Sequence, residues 1–383
     1  MSSIIKVDTI QDQDGNNIIN ESGNTITIGA SGDTITIPSG ATFTNSGTTS
    51  SITISGALTV DGGTIKLDGN YPTGSNNVAL GNQALDSGSL SGNANVAIGS
   101  FALTENTSGG GNVAIGCCSL AVHTTGVNNV GVGNNTLKSN ISGNCNTSIG
   151  TASLCLNTAS GNTAVGTFGL RSNTSGDSNT ALGRCALYTN TTSSHNTGLG
   201  SQALRDNTGA SNTAVGSCAL LKNSSGASNT AMGHCALLCN TTANDNTALG
   251  SEAMKLTTTG TRNVGIGRNG LEANTTGGSN TAVGTNALLL NTTASDNTAI
   301  GADTLSANTT GANNTAVGVD ALRANTTATE NTAVGHRALL LTTTGTRNTG
   351  VGRDALCSNT TGANNVAVGW EAGCSITDSV GHV

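Results

Sequence analysis

Residues 280–297 read Asn-Thr-Ala-Val-Gly-Thr-Asn-Ala-Leu-Leu-Leu-Asn-Thr-Thr-Ala-Ser-Asp-Asn, and the residues that follow repeat this pattern. An asparagine followed four residues later by a glycine occurs eighteen times between Asn77 and Gly369, and fourteen of the seventeen intervals between these glycines are seventeen residues long. A repeat of fixed period is typical of a solenoid, in which each coil packs only on its two neighbours. The sequence therefore predicts an all-β fold, a repetitive parallel β-solenoid or β-roll of about 18 coils over residues 76–373.

The composition predicts a long, narrow molecule rather than a set of globular domains. The 383 residues include only three Phe, two Tyr and one Trp, whereas a globular core of this size uses many more aromatic side chains. The apolar residues are mostly Ala, Val, Leu and Ile, which suit a thin interior. A single coil buries too little apolar surface to fold alone, so we expect stacking and contacts between chains to supply the remaining stability.

Two positions of the repeat form the predicted interior. The residue before the repeat glycine is aliphatic in every copy, and the residue four positions after it is Leu or Met in seventeen of the eighteen copies. We expect both to point inward as a structural ladder that includes the repeat asparagine and glycine. In two coils this ladder comprises Asn280, Val283, Gly284 and Leu288, and Asn314, Val317, Gly318 and Leu322. The repeated asparagines are explained either by an amide ladder along the axis or by left-handed turn geometry.

The residue two positions before the repeat glycine is only ever Ala, Gly or Ser. On a strand it must point opposite to its aliphatic neighbour. A column that faced solvent would accept Lys or Glu, and this column never does. We expect this small-residue column to face outward and to be covered by another chain in a closed oligomer. A steric limit within the coil is the alternative explanation.

Shorter segments flank the repeats. Residues 1–22 alternate Ile and Val with polar residues around the turn Asp14–Asn17, which predicts two short strands. Residues 23–75 are predicted to form a short-strand β shaft, with strands at Thr25–Ile28, Thr34–Ile37, Ile52–Ile54, Leu58–Val60 and Ile65–Leu67. Residues 374–383 are predicted to form a C-terminal cap or tail. Trp370, the only tryptophan, is a candidate binding residue, and a capping role explains it equally well.

Charge and cysteine content argue against several classes of function. The net charge is −7 without a basic stripe, and no run of eighteen apolar residues occurs, so we expect neither nucleic-acid binding nor membrane insertion. The N-terminus lacks a signal-peptide pattern, so we expect synthesis in the cytosol. The ten cysteines occupy slots that other coils fill with Ser, Asn, Gln or Arg, which predicts free thiols and no metal site or cofactor. Cys218 and Cys235 are the pair expected to stack within disulfide reach.

Two parts of the chain resemble known families. The unit Asn-Thr-Ala-Val-Gly-x-x-Ala is similar to the head repeats of trimeric autotransporter adhesins, whose parallel β-roll coils pack three chains around an axis. The opening residues, Ile4–Asp12 and Ser31–Gly40, resemble the N-termini of tail-fibre-type proteins of marine bacteriophages, and the Asn-Thr-Thr-Gly repeats resemble the shafts of such fibres. These resemblances imply an intertwined homotrimeric fibre of a virion, made in the host cytoplasm. Residues 1–22 would attach to other tail or baseplate proteins, and the solenoid would project toward a host-surface glycan or protein.

The sequence also bears on three other functions. A cell-surface adhesin head module is implied by the same resemblance. An ice-binding solenoid would use a flat array of Thr-Thr pairs, which occur at Thr241-Thr242, Thr275-Thr276, Thr292-Thr293 and Thr309-Thr310. An enzyme is not expected, because the five histidines fall at unrelated repeat positions without matched carboxylates: His123, His195, His234, His336 and His382.

Overall fold

The structure is a computed structural model that describes residues 75–87 and 89–381, together with the backbone of residues 9–11, 17–22 and 25–28. The chain divides into two units, Met1–Lys66 and Leu67–Val383.

The N-terminal unit contains a three-stranded antiparallel sheet. Strand β1 (Thr9–Gln11) pairs with β2 (Asn17–Ser22), and β2 pairs with β3 (Thr25–Ile28). The two strands predicted around the Asp14–Asn17 turn and the strand predicted at Thr25–Ile28 are therefore present. The other strands predicted for residues 23–75 lie outside the described residues.

The second unit contains a single sheet of eighteen parallel strands, each three residues long. They are β4 (Val78–Leu80), β5 (Val96–Ile98), β6 (Val113–Ile115), β7 (Val130–Val132), β8 (Thr147–Ile149), β9 (Thr163–Val165), β10 (Thr180–Leu182), β11 (Thr197–Leu199), β12 (Thr213–Val215), β13 (Thr230–Met232), β14 (Thr247–Leu249), β15 (Val264–Ile266), β16 (Thr281–Val283), β17 (Thr298–Ile300), β18 (Thr315–Val317), β19 (Thr332–Val334), β20 (Thr349–Val351) and β21 (Val366–Val368).

Each strand of this sheet pairs with the next strand along the chain, in parallel and without a register shift. In β16 and β17, for example, Ala282 lies opposite Ala299 and Val283 opposite Ile300. One strand per repeat, stacked in chain order, makes a β-solenoid of about 17 turns. The described residues contain no helix. The predicted all-β solenoid is confirmed.

The chain turns sharply after each strand, and the repeat glycine allows this turn. Gly284 has a φ of +142°, and a Cβ placed on it would lie 2.4 Å from the carbonyl oxygen of Gly301 in the next coil. Two further residues of the turn, Asn286 and Leu288, have left-handed φ values of 57° and 52° without being glycine. Neighbouring coils hold them there, because Asn286 N donates to the Arg268 carbonyl and Leu288 N to the Thr304 carbonyl, both at 3.0 Å.

The interior of each coil is narrow, and the two faces of the strand are the reverse of those predicted. Ala282 and Ala316, in the small-residue column, are completely buried, whereas Val283 and Val317 are partly exposed on the outer face. Leu288 and Leu322 are completely buried. The prediction that the aliphatic residue before the glycine points inward is therefore wrong.

The steric reason for this reversal lies in the leucine column. Gly265 occupies the small-residue column, and a Cβ placed on it would lie 2.7 Å from Cγ of Met254, which stands in the leucine column of the preceding coil. At Gly350 the corresponding Cβ would lie 3.2 Å from Cγ of Leu339. The interior opposite the strand therefore holds only a small side chain such as that of Ala282 or Ser148. A steric limit within the coil accounts for the small residues, and the aliphatic neighbour is left on the outside.

Candidate functional site

The outer face of the sheet carries an unbroken column of large apolar side chains beside a column of Val and Thr. We call it the aliphatic face, and it consists of the first and third residues of strands β4 to β21. The third residue is Val, Ile, Leu or Met in every strand, and the first is Val or Thr. Several third residues are strongly exposed: Leu80 48%, Ile149 40%, Leu182 47%, Met232 40%, Leu249 44%, Ile300 41%, Val334 38% and Val368 70%.

The aliphatic face carries no charged side chain along its whole length. Eighteen strands spaced about 4.8 Å apart make it about 80 Å long. A sheet face that is kept in water is polar, and contiguous exposed apolar patches larger than a few hundred Å² mark interaction surfaces. This surface is therefore the strongest candidate for a functional site in the described part of the chain.

The asparagines that begin the repeats form a buried hydrogen-bonded column. The backbone N of Asn297 donates to Oδ1 of Asn280 at 3.0 Å, and Nδ2 of Asn280 donates to the Ala294 carbonyl at 2.8 Å. The same arrangement holds at Asn314, whose Oδ1 accepts from the backbone N of Asn331. Each side chain thus joins its own coil to the next, so the asparagine column acts as a ladder along the axis. Left-handed geometry is instead found one residue earlier, as at Asp296 (φ 60°).

A second buried asparagine column lies eleven residues after the first in most coils. Nδ2 of Asn291 donates to Oδ1 of Asn274 at 3.1 Å, and Nδ2 of Asn308 donates to Oδ1 of Asn291 at 2.8 Å. Four amide oxygens of this column lack a partner among the described residues. They belong to Asn106, Asn240, Asn325 and Asn359, and the next slot of the column is filled by His123, Thr257, Thr342 and Ile376 respectively. An amide oxygen is thus unpaired wherever the next coil lacks an asparagine.

His123 occupies a slot of the second asparagine column and is completely buried. Its Nδ1 lies 2.9 Å from the Asn140 carbonyl oxygen, and its Nε2 lies 2.9 Å from the Gly126 carbonyl oxygen. Both partners are acceptors, whereas a neutral imidazole carries one N–H. Among the residues that the structure describes, no carboxylate is hydrogen-bonded to it, so the geometry indicates a structural role. His195, His234 and His336 are also described, and His382 lies outside the described residues.

The cysteines differ from their prediction in one place. Cys357 and Cys374, in neighbouring coils with Cα atoms 5.1 Å apart, form a disulfide. The prediction of free thiols throughout is therefore wrong for this pair, although Cys218 and Cys235 are free. The pKa of the Cys235 thiol is raised by burial, and the neighbouring Cys218 raises it further. Within the described residues, no cluster of three His, Cys, Asp or Glu side chains is suited to hold a metal ion.

The C-terminal end of the solenoid is closed by Ile376, while Trp370 remains 70% exposed. Gly373 stands where other coils have Leu or Met, and a Cβ placed on it would lie 2.9 Å from Cδ2 of Leu356 and 3.2 Å from Cδ1 of Ile376. The isoleucine packs against the core there. Residues 377–381 continue the hydrogen bonding, because the Thr377 carbonyl accepts from Thr360 N at 2.7 Å. A capping role for Trp370 is not supported by its exposure.

The hydroxyl groups of the Thr-Thr pairs do not form a free array. In each of four pairs, Oγ1 of the first threonine donates to a backbone carbonyl of the next coil at 3.0–3.1 Å: Thr241 to Thr258, Thr275 to Thr292, Thr292 to Thr309 and Thr309 to Thr326. Half of these hydroxyl groups are therefore engaged within the protein. This geometry disfavours ice binding.

Sequence reasoning missed an aromatic cluster on the side of the solenoid. Phe168 and Tyr188 pack edge to face with ring centroids 6.3 Å apart, and the Arg171 guanidinium carbon lies 5.8 Å and 5.7 Å from the two centroids. Nη1 of Arg171 donates to the Tyr188 hydroxyl at 3.1 Å. Arg171 and Tyr188 each follow a repeat glycine by five residues, so aligning the repeats would have shown that they stack.

A shallow apolar groove of about 510 Å³ lies farther along the same slots of the repeat. Two leucine pairs, Leu289-Leu290 and Leu340-Leu341, stand at its ends, and Ser306, Ala307 and Ala324 line the space between them. The groove lies where Ser306-Ala307 and Ala324 stand in place of the leucine pairs of the coils on either side. Its lining includes one acid and one base, Asp303 and Arg323.

No helix in the described residues is long and apolar enough to cross a membrane. Comparison of the chain with protein-family models, with curated proteins and with solved structures found no match. The fold itself, a long repetitive β-solenoid, is compatible with a structural or adhesin-like role.

Proposed function

We propose that this chain is a structural fibre protein of a bacteriophage virion that assembles as a homotrimer through the aliphatic face. The solenoid would form the projecting shaft, and residues 1–22 would attach it to other tail or baseplate proteins. The protein would support or mediate attachment to a glycan or protein of the host surface, without catalysis or a cofactor. The observation that carries this proposal is the charge-free aliphatic face.

The size of the aliphatic face supports association between copies. A strip about 80 Å long and about 10 Å wide has an area near 800 Å². This area equals the roughly 800 Å² that each partner buries in a stable protein interface of standard size. Identical chains carry identical aliphatic faces. In an assembly with rotational symmetry, the same residue of each chain therefore lies at the same height along the axis. Three chains around one axis can cover all three strips and leave no free copy to propagate growth. The resemblance of the repeats to trimeric heads favours three over two.

Light scattering on the intact, folded protein tests the assembly. The expected mass is three times the chain mass of 37.5 kDa. The triple variant Ile266→Glu, Val283→Glu, Ile300→Glu places charges on three neighbouring strands of the aliphatic face and should yield single chains with an unchanged far-UV spectrum. Leu290→Glu is the matched control, because Leu290 is 48% exposed but lies outside this face. A wild-type mass of one chain would sink the proposal, whatever the variants do.

Electron microscopy with an antibody raised against residues 1–22 tests the place of the protein in a particle. A fibre protein should be labelled where fibres join the tail of a purified virion. Labelling of cell surfaces in place of virions would replace the phage assignment with the adhesin alternative. Light scattering tests the trimer independently of where the antibody binds, so either labelling result leaves the assembly claim to be judged by the measured mass.

A further inference from the structure

The cluster of Phe168, Arg171 and Tyr188 is unusual for this molecule. The whole chain has six aromatic residues, and two of them meet here on neighbouring coils with an arginine over both rings. All three residues are half-buried, so part of each is packed and part reaches solvent. An edge-to-face ring pair with a stacked guanidinium is a rigid platform, because each group restrains the other two.

Arg171 differs from the arginine that follows in the same slot two coils later. Arg205 is neutralised by its neighbour Asp206 through two hydrogen bonds, Nε to Oδ1 at 2.8 Å and Nη2 to Oδ2 at 2.7 Å, and this contact raises the pKa of Arg205. Among the described residues, Arg171 forms no ion pair, and its one side-chain hydrogen bond is to the Tyr188 hydroxyl. Its guanidinium retains N–H groups with which to bind an acidic group.

The residues around this platform are polar and carry a small positive excess. Residues 166–206 contain three arginines and two aspartates, 3 − 2 = +1, in a chain whose net charge is −7. Ser172 and Thr189 follow Arg171 and Tyr188 directly and are half-buried. The Thr189 hydroxyl donates to the Arg205 carbonyl at 3.0 Å, so only its oxygen is left to accept. The platform therefore offers planar N–H donors for a carboxylate, aromatic carbon for the C–H groups of a ring, and hydroxyl oxygens.

We propose that Phe168, Arg171 and Tyr188 form a binding site for a carboxylate-bearing saccharide, such as a uronic acid unit of a surface polysaccharide. Arg171 pairs with the carboxylate, the Tyr188 hydroxyl donates to a sugar oxygen, and the pyranose C–H groups lie against the aromatic edges. A neutral sugar would leave the Arg171 guanidinium without an acidic partner, and a simple anion would make no contact with the rings of Phe168 and Tyr188. A saccharide with a carboxylate contacts all three side chains. This inference rests on the proposed attachment role and names the ligand class and the residues for it.

Saturation-transfer NMR with selective irradiation of the aromatic protons tests the site, because the chain has so few aromatic rings. The probes are trigalacturonic acid, a hyaluronan tetrasaccharide and 3′-sialyllactose, each compared with its carboxyl methyl ester. At least one acid should receive saturation at its ring protons and bind at least tenfold more tightly than its ester. Arg171→Ala should weaken that binding at least tenfold, and Phe168→Leu several-fold.

Arg268→Ala is the matched control, since Arg268 is an exposed arginine of the same solenoid with no aromatic contact among the described residues, and it should bind like the wild type. Far-UV spectra and light scattering of each variant show that folding and assembly are intact. Binding unaffected by Arg171→Ala, equal binding of acid and ester, full competition by inorganic phosphate at equal concentration, or no transfer to any probe would overturn this site. A trimer that binds no probe loses only this site, whereas a single-chain mass removes the proposed fibre itself.

Discussion

At the residue scale, the second asparagine column shows how a buried polar group depends on the next coil. Each amide oxygen is paired when the following slot holds an asparagine that donates Nδ2, as Asn308 does to Asn291 at 2.8 Å. Where Thr342 replaces the donor, Oδ1 of Asn325 is buried without a partner in the described residues. A buried unpaired acceptor costs about 1–3 kcal/mol. An asparagine in this column therefore has its amide oxygen paired with the column only when the next coil also has an asparagine there.

Thr342→Asn should stabilise the protein by about 1 kcal/mol, because the new Nδ2 can donate to Oδ1 of Asn325. The free energy of unfolding, from urea titration followed by far-UV circular dichroism, measures the gain. Thr344→Asn is the matched control, since Thr344 is exposed and lies outside the column. An equal gain in the control, or a loss at Thr342, would contradict the assigned hydrogen bond.

At the element scale, the strands were predictable and their orientation was not. The Asn-Thr-Ala-Val-Gly pattern predicts a short strand before each glycine, and β16 (Thr281–Val283) lies there. The inward direction of Ala282 depends on Leu288, which reaches the interior from a left-handed backbone position. Leucine rarely adopts that geometry, since it crowds Cβ against the carbonyl oxygen. Periodicity therefore could not show which side of the strand the leucine column occupies.

Two glycines of one coil, Gly267 and Gly270, should respond oppositely to alanine. Gly267→Ala should destabilise the protein by about 2 kcal/mol or more, because φ is +120° and the new Cβ would lie 2.6 Å from the Gly284 carbonyl oxygen. Gly270→Ala should be neutral or stabilise by about 0.5 kcal/mol, because its Cβ would have no neighbour closer than 3.4 Å. The thermal unfolding midpoints of the two variants measure the difference. Similar midpoints would refute the steric role of the repeat glycine.

At the scale of the whole molecule, each coil of the solenoid is stabilised by its two neighbouring coils, so the end coils are the least stable. A coil in the middle has hydrogen-bonding neighbours on both sides, whereas the last coil has one. Two features strengthen the C-terminal end: Ile376 covers the core beside Gly373, and the Cys357–Cys374 disulfide joins the last two coils. The sequence places both cysteines in the same slot, but the pair that it predicts within disulfide reach is Cys218 and Cys235, and these two are free.

Cys357→Ser should loosen the last coil and leave the others unchanged. Closing a loop of this length by a disulfide stabilises by about 3 kcal/mol in the chain-entropy model. Hydrogen exchange followed by mass spectrometry should show faster exchange after residue 357 and no change before residue 340. Cys155→Ser is the matched control, because Cys155 occupies the same slot as a free thiol. Equal exchange in wild type and Cys357→Ser would show that the disulfide does not secure this end.

The amino-acid sequence by itself determined the solenoid, its repeat length and its strand positions, because one strand per repeat and a glycine at every turn are local properties of the chain. The buried leucines were also predictable, since repetition at a fixed period stacks identical residues on each other. The sequence left the asparagines open between an axial ladder and left-handed turns, and the hydrogen bonds of the structure decided for the ladder. The tertiary structure decided which strand face is inside, which amide oxygens lack donors, and that Phe168, Arg171 and Tyr188 meet. These features depend on the width of the interior and on contacts between coils, and neither is a property of a single repeat.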